Sequence, residues 1–407
     1  MKIFQINISV NSGSHGRIAE EIGKTVIKEG HVSYIAAAHI TNTSHSDTIQ
    51  IGHELDRKFH GLKTRLFDRH GFGSKLSTIK LIKKIRKINP DIIHLHNIHG
   101  YYLHVGVLFK YLKEVNKPVV WTFHDCWPFT GHCSHFIRID CNKWQQECYE
   151  CPNVHRYPAS WFIDNSRKNF RDKKNLFNNV NKMILVSPSE WLALNLRKSF
   201  LSGYVIKVIH NGIEVERFKH ITKSEVLERY GIMGKYILGV ANVWAPNKGL
   251  NDFIELRKII NENIEIILVG LKKSQMKSFP KGIRGINRTE NIHDLVVLYS
   301  GAQAFVNPTY VDNFLTTNIE SLACGTPVIT YNTGGSPEAV DEKTGFVVEK
   351  GDISGLKKAI DTIITRGKEY YSMNCRERTE KLFDSKIMGR NYLELYEELL
   401  KEYKRSS

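Results

Sequence analysis

Four groups of residues in this chain have types and spacings that could do chemistry. In NPTYVDNFLTTNIESLACGTPVI, Asp312 ends an apolar, strand-like run, Asn313 and Phe314 open a helix-patterned segment, and Glu320 lies further along it. Amides at such a helix start suit a phosphate, and a carboxylate one helix length on can accept two ribose hydroxyls. The plainer alternative makes Asp312 an N-cap and Glu320 a surface acid. In GVANVWAPNKGLNDFIEL, Lys248 precedes a helix beginning near Gly249. A cation there can neutralise a departing nucleotide diphosphate without a metal, although solvated lysines are common. The turn NSGSHGRIAEE runs from strand to helix through Gly13 and Gly16, which lets backbone amides approach a bound group. It lacks a complete G-x-G-x-x-G, and a tight connection explains it as well.

The fourth group is sulfur. Five of the seven cysteines fall within twenty-six residues, and Cys133, Cys141, Cys148 and Cys151 read C-x7-C-x6-C-x2-C. The amino terminus, MKIFQINISVNSGSHG, is too polar for the apolar core of an export signal, which predicts a cytoplasmic protein. Disulfides are then disfavoured, and four thiolates on a structural zinc become the leading alternative to free thiols.

These residues need elements to position them. Short apolar runs recur, among them KIFQINI, VSYIAAA, DIIHLHN, PVVWTFHD and MILVSPS, then YILGVAN, IEIILVG, AFVNPT and PVITYN. They read as buried parallel strands, and helix-patterned stretches lie between them. Strand and helix alternate twice over, predicting an α/β protein of two Rossmann-like, doubly wound domains. We expect domains over 1–205, with a Cys-rich insertion near 126–158, and 206–385, where GYVIKVIHNG starts a fresh strand. The tail, 386–407, is an amphipathic helix that should pack back across the body. Sites in such sheets form outside the carboxyl ends of the strands. That draws attention to Asn11–Gly16, Asn97–Gly100, His124 and Asp125, Ser187–Glu190, Asn211, Asn242–Lys248, Asn307–Asp312 and Gly334–Glu338.

With 407 residues, two cores are the default. The net charge is +16, and residues 57–90 carry eleven Lys or Arg against Asp68 alone. Within that stretch LSTIKLIKKIRKI sets Leu76, Ile79, Ile82, Ile85 and Ile88 at helical spacing, with lysines on the remaining faces. One reading is a core-facing helix with a solvated basic back. Another is a surface for anionic lipid or anionic ligands.

The segment DNF-x5-E-x3-CGTPV, followed by GGSPEAV, resembles the E-x7-E region of glycosyltransferase family 4, retaining enzymes of the GT-B fold. DIIHLHNIHGYYL, WTFHDCWPFTGHC, PSEWL, VIHNGI and VANVWAPNKGL are similar to stretches of its bacterial polysaccharide members, of colanic-acid and O-antigen type. The resemblance implies two domains with a cleft between them and a nucleotide-sugar donor. It implies that Glu320 holds the ribose and that Asp312, with the Asn313 and Phe314 amides, contacts the donor sugar and phosphates. Lys248 would bind the diphosphate, His124 would reach the donor sugar, and Gly13 to Gly16 would line the cleft. Asn211 and Glu338 complete the implied donor set. The implied reaction carries a hexose or N-acetylhexosamine from a UDP sugar to a lipid-linked (undecaprenyl-diphosphate) oligosaccharide at the inner membrane face, with no catalytic cofactor. Two positions depart from the family pattern: Asp312 stands where Glu is usual, and Val243 or Asn247 where relatives carry Arg. Arg284 or Arg288 could stand in. The cysteine block resembles an insertion in the same transferases, where its role would be structural.

Two other classes fit parts of the sequence. A nicotinamide-dependent oxidoreductase would use two Rossmann-like halves, but no complete dinucleotide fingerprint is present. A zinc-containing nucleic-acid binder would use the charge and the cysteines, yet would leave the second half without a purpose.

Overall fold

The apolar runs pair as parallel strands in a computed structural model that describes residues 1–276 and 279–405. The chain forms two units, Met1–His210 with the chain from Met388 onward, and Asn211–Ile387. In the first unit, β1 (Lys2–Val10), β2 (Val32–Ile40), β3 (Asp47–Gln50), β4 (Ile92–Leu95), β5 (Val119–Thr122), β6 (Met183–Ser187) and β7 (Val205–Val208) build one sheet. Its order is β3-β2-β1-β4-β5-β6-β7, and every pairing is parallel. Strands β4 and β5 are buried throughout, which is why they read as unbroken apolar runs rather than alternating ones.

The second unit repeats the plan. Strands β8 (Tyr236–Val240), β9 (Glu265–Val269), β10 (Ile283–Ile286), β11 (Ala304–Asn307), β12 (Val328–Tyr331) and β13 (Gly345–Val348) lie in the order β10-β9-β8-β11-β12-β13, again all parallel. The two-domain, doubly wound α/β expectation therefore holds.

The strand expected to open the second domain does not do so. β7 bonds along β6 in the first sheet, so the units divide at His210 and Asn211 rather than at 205. An apolar run identifies a strand, whereas only its hydrogen-bond partner identifies its sheet. The tail forms a helix, Ser385–Arg405, with Ser406 and Ser407 outside the described residues. From Met388 it belongs to the first unit, where Met388, Tyr392, Leu395, Tyr396 and Leu399 are buried against Ile3, Ile18 and Ile22. Tyr396 pairs with His94 Nδ1 at 2.6 Å and Tyr392 with Thr122 Oγ1 at 2.9 Å.

Three helices of the first unit matter below: α1 (Gly13–Lys28), α2 (Glu54–Phe67) and α3 (Lys75–Ile88). α3 buries Leu81, Ile82 and Ile85 and leaves Leu76 73% exposed. A strict spacing of three slips about 60° per step around a helix, so Leu76 faces away from Ile85.

Candidate functional site

In a doubly wound sheet the strand order reverses once, and the loops after the two strands at that point diverge and leave a crevice. In the second unit those strands are β8 and β11. Lys248 follows the first and Asp312 the second, and they meet: Lys248 Nζ donates to Asp312 Oδ2 at 2.6 Å, each side chain about a quarter exposed. Asp312 Oδ1 accepts from the Asn313 amide at 2.9 Å, which fixes the carboxylate plane. Gly249, at φ +74°, is required here, since a Cβ would lie 2.2 Å from the Pro308 carbonyl oxygen.

Glu320 sits in the helix Thr316–Ala323 and is only 6% exposed. It is not the surface acid of the plainer reading. Tyr299 donates to its Oε2 at 3.1 Å, and nearby Asn307 donates to Asn318 Oδ1 at 2.7 Å. The helix begins at Thr316, with Leu315 as its N-cap and no side-chain cap. Asn313 and Phe314 therefore precede the helix instead of opening it. The Asp312 carboxylate takes the Asn313 amide in a local turn, and Phe314 is buried against Phe383. Asn211 reaches the same stretch, donating to the Phe314 carbonyl oxygen at 3.4 Å.

Gly334 closes over Asp312. At φ +56°, its Cβ would fall 1.7 Å from the Asp312 carbonyl oxygen. We expect Gly334→Ala to destabilise the second unit by about 2 kcal/mol or more, through the left-handed backbone and the overlap together. Thermal denaturation checks this; an unchanged midpoint would show that the loop moves freely. Glu338 follows in the short turn Ser336–Ala339, half-buried, with its carbonyl oxygen accepting from Arg378 at 3.1 Å.

In the first unit the reversal lies between β1 and β4. After β1, the Asn11 amide donates to Gly16 O at 3.2 Å, and Gly13 takes φ +66°. A Cβ at Gly16 would lie 2.9 Å from Ser9 Oγ, so the turn needs glycine there. Ser12, the N-cap of α1, makes no side-chain cap, and the amides of that first turn are left to other acceptors.

His124 follows β5 and stacks on His96, which follows β4, with ring centroids 5.4 Å apart. Gln5 Nε2 donates to Ala19 O at 3.0 Å, so its Oε1 accepts from His96 Nε2 at 2.9 Å. His96 Nδ1 then accepts from His124 Nε2 at 3.2 Å. Burial, then neighbouring imidazoles, hold both rings well below the usual histidine range, and each is neutral. This chain of bonds assigns His124 the Nε2–H tautomer, with a lone pair on Nδ1.

Beside it, His99 Nε2 meets Asp125 Oδ2 at 2.6 Å, and the Trp127 amide donates to Oδ1 at 2.9 Å. Burial alone would raise Asp125, but His99 and these hydrogen bonds outweigh it and hold the carboxyl at about 2. His15, whose ring centroid lies 5.9 Å from that of His124, is lowered to about 4, chiefly by burial.

Two family models match in succession: Glycosyltransferase Family 4 over residues 15–217 and Glycosyl transferases group 1 over 234–366. The chain belongs to glycosyltransferase family 4. This transferase is 21% identical to WcaC of Escherichia coli K12, whose name assigns it to colanic acid biosynthesis as a glycosyl transferase. The alignment covers 88% of this chain and 89% of WcaC. Its fold matches sucrose-phosphate synthase from Thermosynechococcus elongatus at TM-score 0.73 and 18% identity, over 98% of this chain and 99% of the other. It also matches Anabaena HepE, solved with UDP-glucose, at TM-score 0.68 and 15% identity, over 98% and 100%. The GT-B expectation is met.

One residue expectation for the transferase does not fit. Arg284 donates to Glu265 Oε1 at 2.7 Å, at the amino-terminal end of β9, so it is directed away from Lys248, which follows a carboxyl end. Cys133, Cys141, Cys148 and Cys151 do line one small cavity with Trp144 and Phe136. Among the described residues, however, no three His, Cys, Asp or Glu side chains stand where they could hold a metal ion. Burial pushes the Cys148 thiol up to about 12, and a hydrogen bond with Cys133 raises Cys151. The four thiols gather in an apolar cluster, and no step is assigned to zinc.

Residue types and strand ends alone do not give the pairings: Lys248 with Asp312, Tyr299 with Glu320, His96 with His124, His99 with Asp125. Each joins residues at least 21 positions apart. Only His96 and Asn97 after β4 and FHD after β5, polar residues closing apolar runs, offer a signal.

Proposed function

We propose that this transferase moves a hexose or N-acetylhexosamine from a UDP sugar to a lipid-linked oligosaccharide, with retention at the anomeric carbon, in the synthesis of a bacterial surface polysaccharide. The observation that carries the reading is the Lys248–Asp312 pair at the strand-order reversal, with the buried Glu320 carboxylate in the helix that follows. Lys248 releases Asp312 to the donor sugar and takes the diphosphate, while Glu320 accepts the ribose hydroxyls. The bond from C1 to the diphosphate oxygen breaks as the acceptor oxygen bonds C1 on the same face. The leaving phosphate oxygen takes the acceptor's proton, so no protein base is needed. The chain carries no D-x-D, and Lys248 with nearby amides must neutralise the departing charge. In the first unit, His124 is the side chain that meets the donor sugar. The likeness to WcaC supports the polysaccharide setting, and HepE with UDP-glucose supports the uridine donor.

A thermal-shift panel of UDP, GDP and dTDP sugars, followed by transfer to a lipid-linked acceptor, tests this. UDP sugars should stabilise the protein most. Salt-sensitive DNA or RNA binding with no shift from any nucleotide sugar would reject the reading. Lys248→Ala should lower kcat/KM about 100-fold, as expected for losing one preorganised countercharge, and Lys248→Arg should recover part of it.

A further inference from the structure

The cysteine block ends in a side chain that it delivers to the carboxyl edge of the first sheet. The chain there is irregular apart from short turns such as Trp127–Phe129, so side-chain bonds must fix it. His132 bridges two acceptors, the Asp68 carboxylate at 2.5 Å from Nδ1 and the Arg156 carbonyl oxygen at 3.3 Å from Nε2, and both its nitrogens therefore carry hydrogen. The Arg156 amide donates to Asn153 O at 2.9 Å, and the Ser160 amide to Val154 O at 2.8 Å. Tyr157 lies in the turn closed by these bonds, and it is 48% exposed. Its hydroxyl reaches His99 Nδ1 at 3.4 Å, and behind it stands the buried pair of His99 and Asp125. His70 Nε2 is also near, 3.3 Å from His99 Nδ1, but it accepts the Gly100 amide at 3.2 Å and so brings no hydrogen to His99.

Tyr101 makes a second wall. Its ring centroid lies 6.3 Å from that of Tyr157, with the planes at 85°, and 4.7 Å from that of His70 at 83°. Its backbone is left-handed at φ +71°, which disfavours any residue with a Cβ, and Ser74 Oγ donates to its carbonyl oxygen at 3.2 Å. Strain of this kind persists only where its surroundings hold it, and it clusters at ligand sites. The corner adjoins the site already described. Asp125 is next in sequence to His124, and the charges of His99 and Asp125 both act on His15, the ring neighbour of His124. An acceptor hydroxyl must lie beside the donor's anomeric carbon, so the sugar that carries it needs a seat bordering the side chain that meets the donor. An aromatic face with a hydroxyl at its rim suits the apolar face and ring hydroxyls of a sugar. We infer that Tyr157 and Tyr101 seat the terminal sugar of the acceptor, with His99 and Asp125 as positioning residues behind Tyr157. Asp125 takes the Nε2 hydrogen of His99, Nδ1 takes the hydroxyl hydrogen of Tyr157, and the phenol oxygen is left to accept from a sugar hydroxyl. The inference rests on the reading of the chain as a transferase with a saccharide acceptor, and it gives the cysteine block a part in binding as well as in structure.

Binding of octyl glycosides of glucose, galactose and N-acetylglucosamine to the full chain, followed by ligand-observed NMR without any nucleotide sugar, tests it. The wild type should bind at least one of them. Tyr157→Ala should weaken that binding about 30-fold, as for an aromatic anchor that its ligand covers. Tyr157→Phe keeps the ring, loses the hydroxyl and should weaken it about fivefold. His99→Asn should match Tyr157→Phe, and adding it to Tyr157→Phe should weaken binding no further, because it acts through a hydroxyl that is already gone. A merely structural His99 would instead add its cost in both backgrounds. The thermal midpoints of the Tyr157 variants, and the shifts that UDP sugars give them, should match the wild type. Loss of the acceptor seat is thereby distinct from failure of the transferase reading, in which no nucleotide sugar shifts any of these proteins. Wild-type glycoside binding by Tyr157→Ala would overturn the inference, as would a wild type that binds none of the three glycosides, or an equal loss of UDP-sugar binding in that variant.

Discussion

Glu320→Ala is expected to lower kcat/KM about 1000-fold while leaving the thermal midpoint of the protein within a few degrees. A carboxylate accepting two hydroxyls makes two charge-assisted hydrogen bonds, each worth roughly 1.5–3 kcal/mol, and about 4 kcal/mol in sum corresponds to three decades in rate. Stability should change little, because the substitution removes one acceptor from Tyr299 and the desolvation of a buried acid together. Glu320→Gln separates the two contributions. It keeps the volume and an acceptor for Tyr299, so it should fold like the wild type and still lose most of the activity. The loss should fall on donor KM and kcat/KM measured with UDP sugars, and wild-type turnover in both variants would remove Glu320 from the site. Asp312→Ala should also abolish transfer, whereas Asp312→Glu, which restores the family's usual residue, should keep or alter it.

Acid should unfold the first unit well before it affects the second. His60, His70, His94 and His96 are at most 2% exposed, and burial, followed by nearby positive groups, lowers the pKa of each. The unfolded chain binds protons at these positions near pH 6.5, and the folded chain does not. Stability therefore falls as pH drops below about 6.5, because the unfolded state takes up the protons. Between about pH 7 and pH 5 the loss is roughly 2 kcal/mol per histidine, so four of them rival the whole stability of a domain. His132 works the other way. Burial lowers it, but its bond with Asp68 wins and raises it, so its contribution is retained in acid. Asp125, held at about 2, contributes stability above the unfolded value near 3.9 and loses it only as pH falls through about 2, outside this interval. Calorimetry across the interval should show the melting temperature falling by about 10 °C or more. A flat melting temperature would mean that the imidazoles reach water in the folded state.

Much of this protein could be read from local pattern. The alternation of apolar runs with amphipathic stretches is a property of a few adjacent residues, because side-chain direction repeats every two positions in a strand and about every 3.6 in a helix. The position of Lys248 after β8, of Asp312 after β11 and of His124 after β5 followed from where those runs stop. The segment from Asp312 to Glu320 was legible as chemistry for the same reason, but its helix start was placed too early. Asp312 holds the Asn313 amide in a turn, and this competition between side chain and helix is hard to see in residue types alone.

What only the tertiary structure decided concerns partners distant along the chain. Whether β7 closes the first sheet or opens the second depends on β6, and nothing in VIKV records that choice. Lys248 finds Asp312 across 64 residues and His124 finds His96 across 28, because strand order brings the ends of non-consecutive strands together. The same holds for what stays bare. α2 carries apolar residues on more than one side, and packing buries His60, Gly61 and Thr64 while leaving Leu55, Phe59 and Leu62 in solvent. Sequence alone determined which residues could be strand ends, acids, cations and apolar stripes. Folding determined which of them met and which of them were left to meet something else, since burial and hydrogen bonding are set by the far side of the chain.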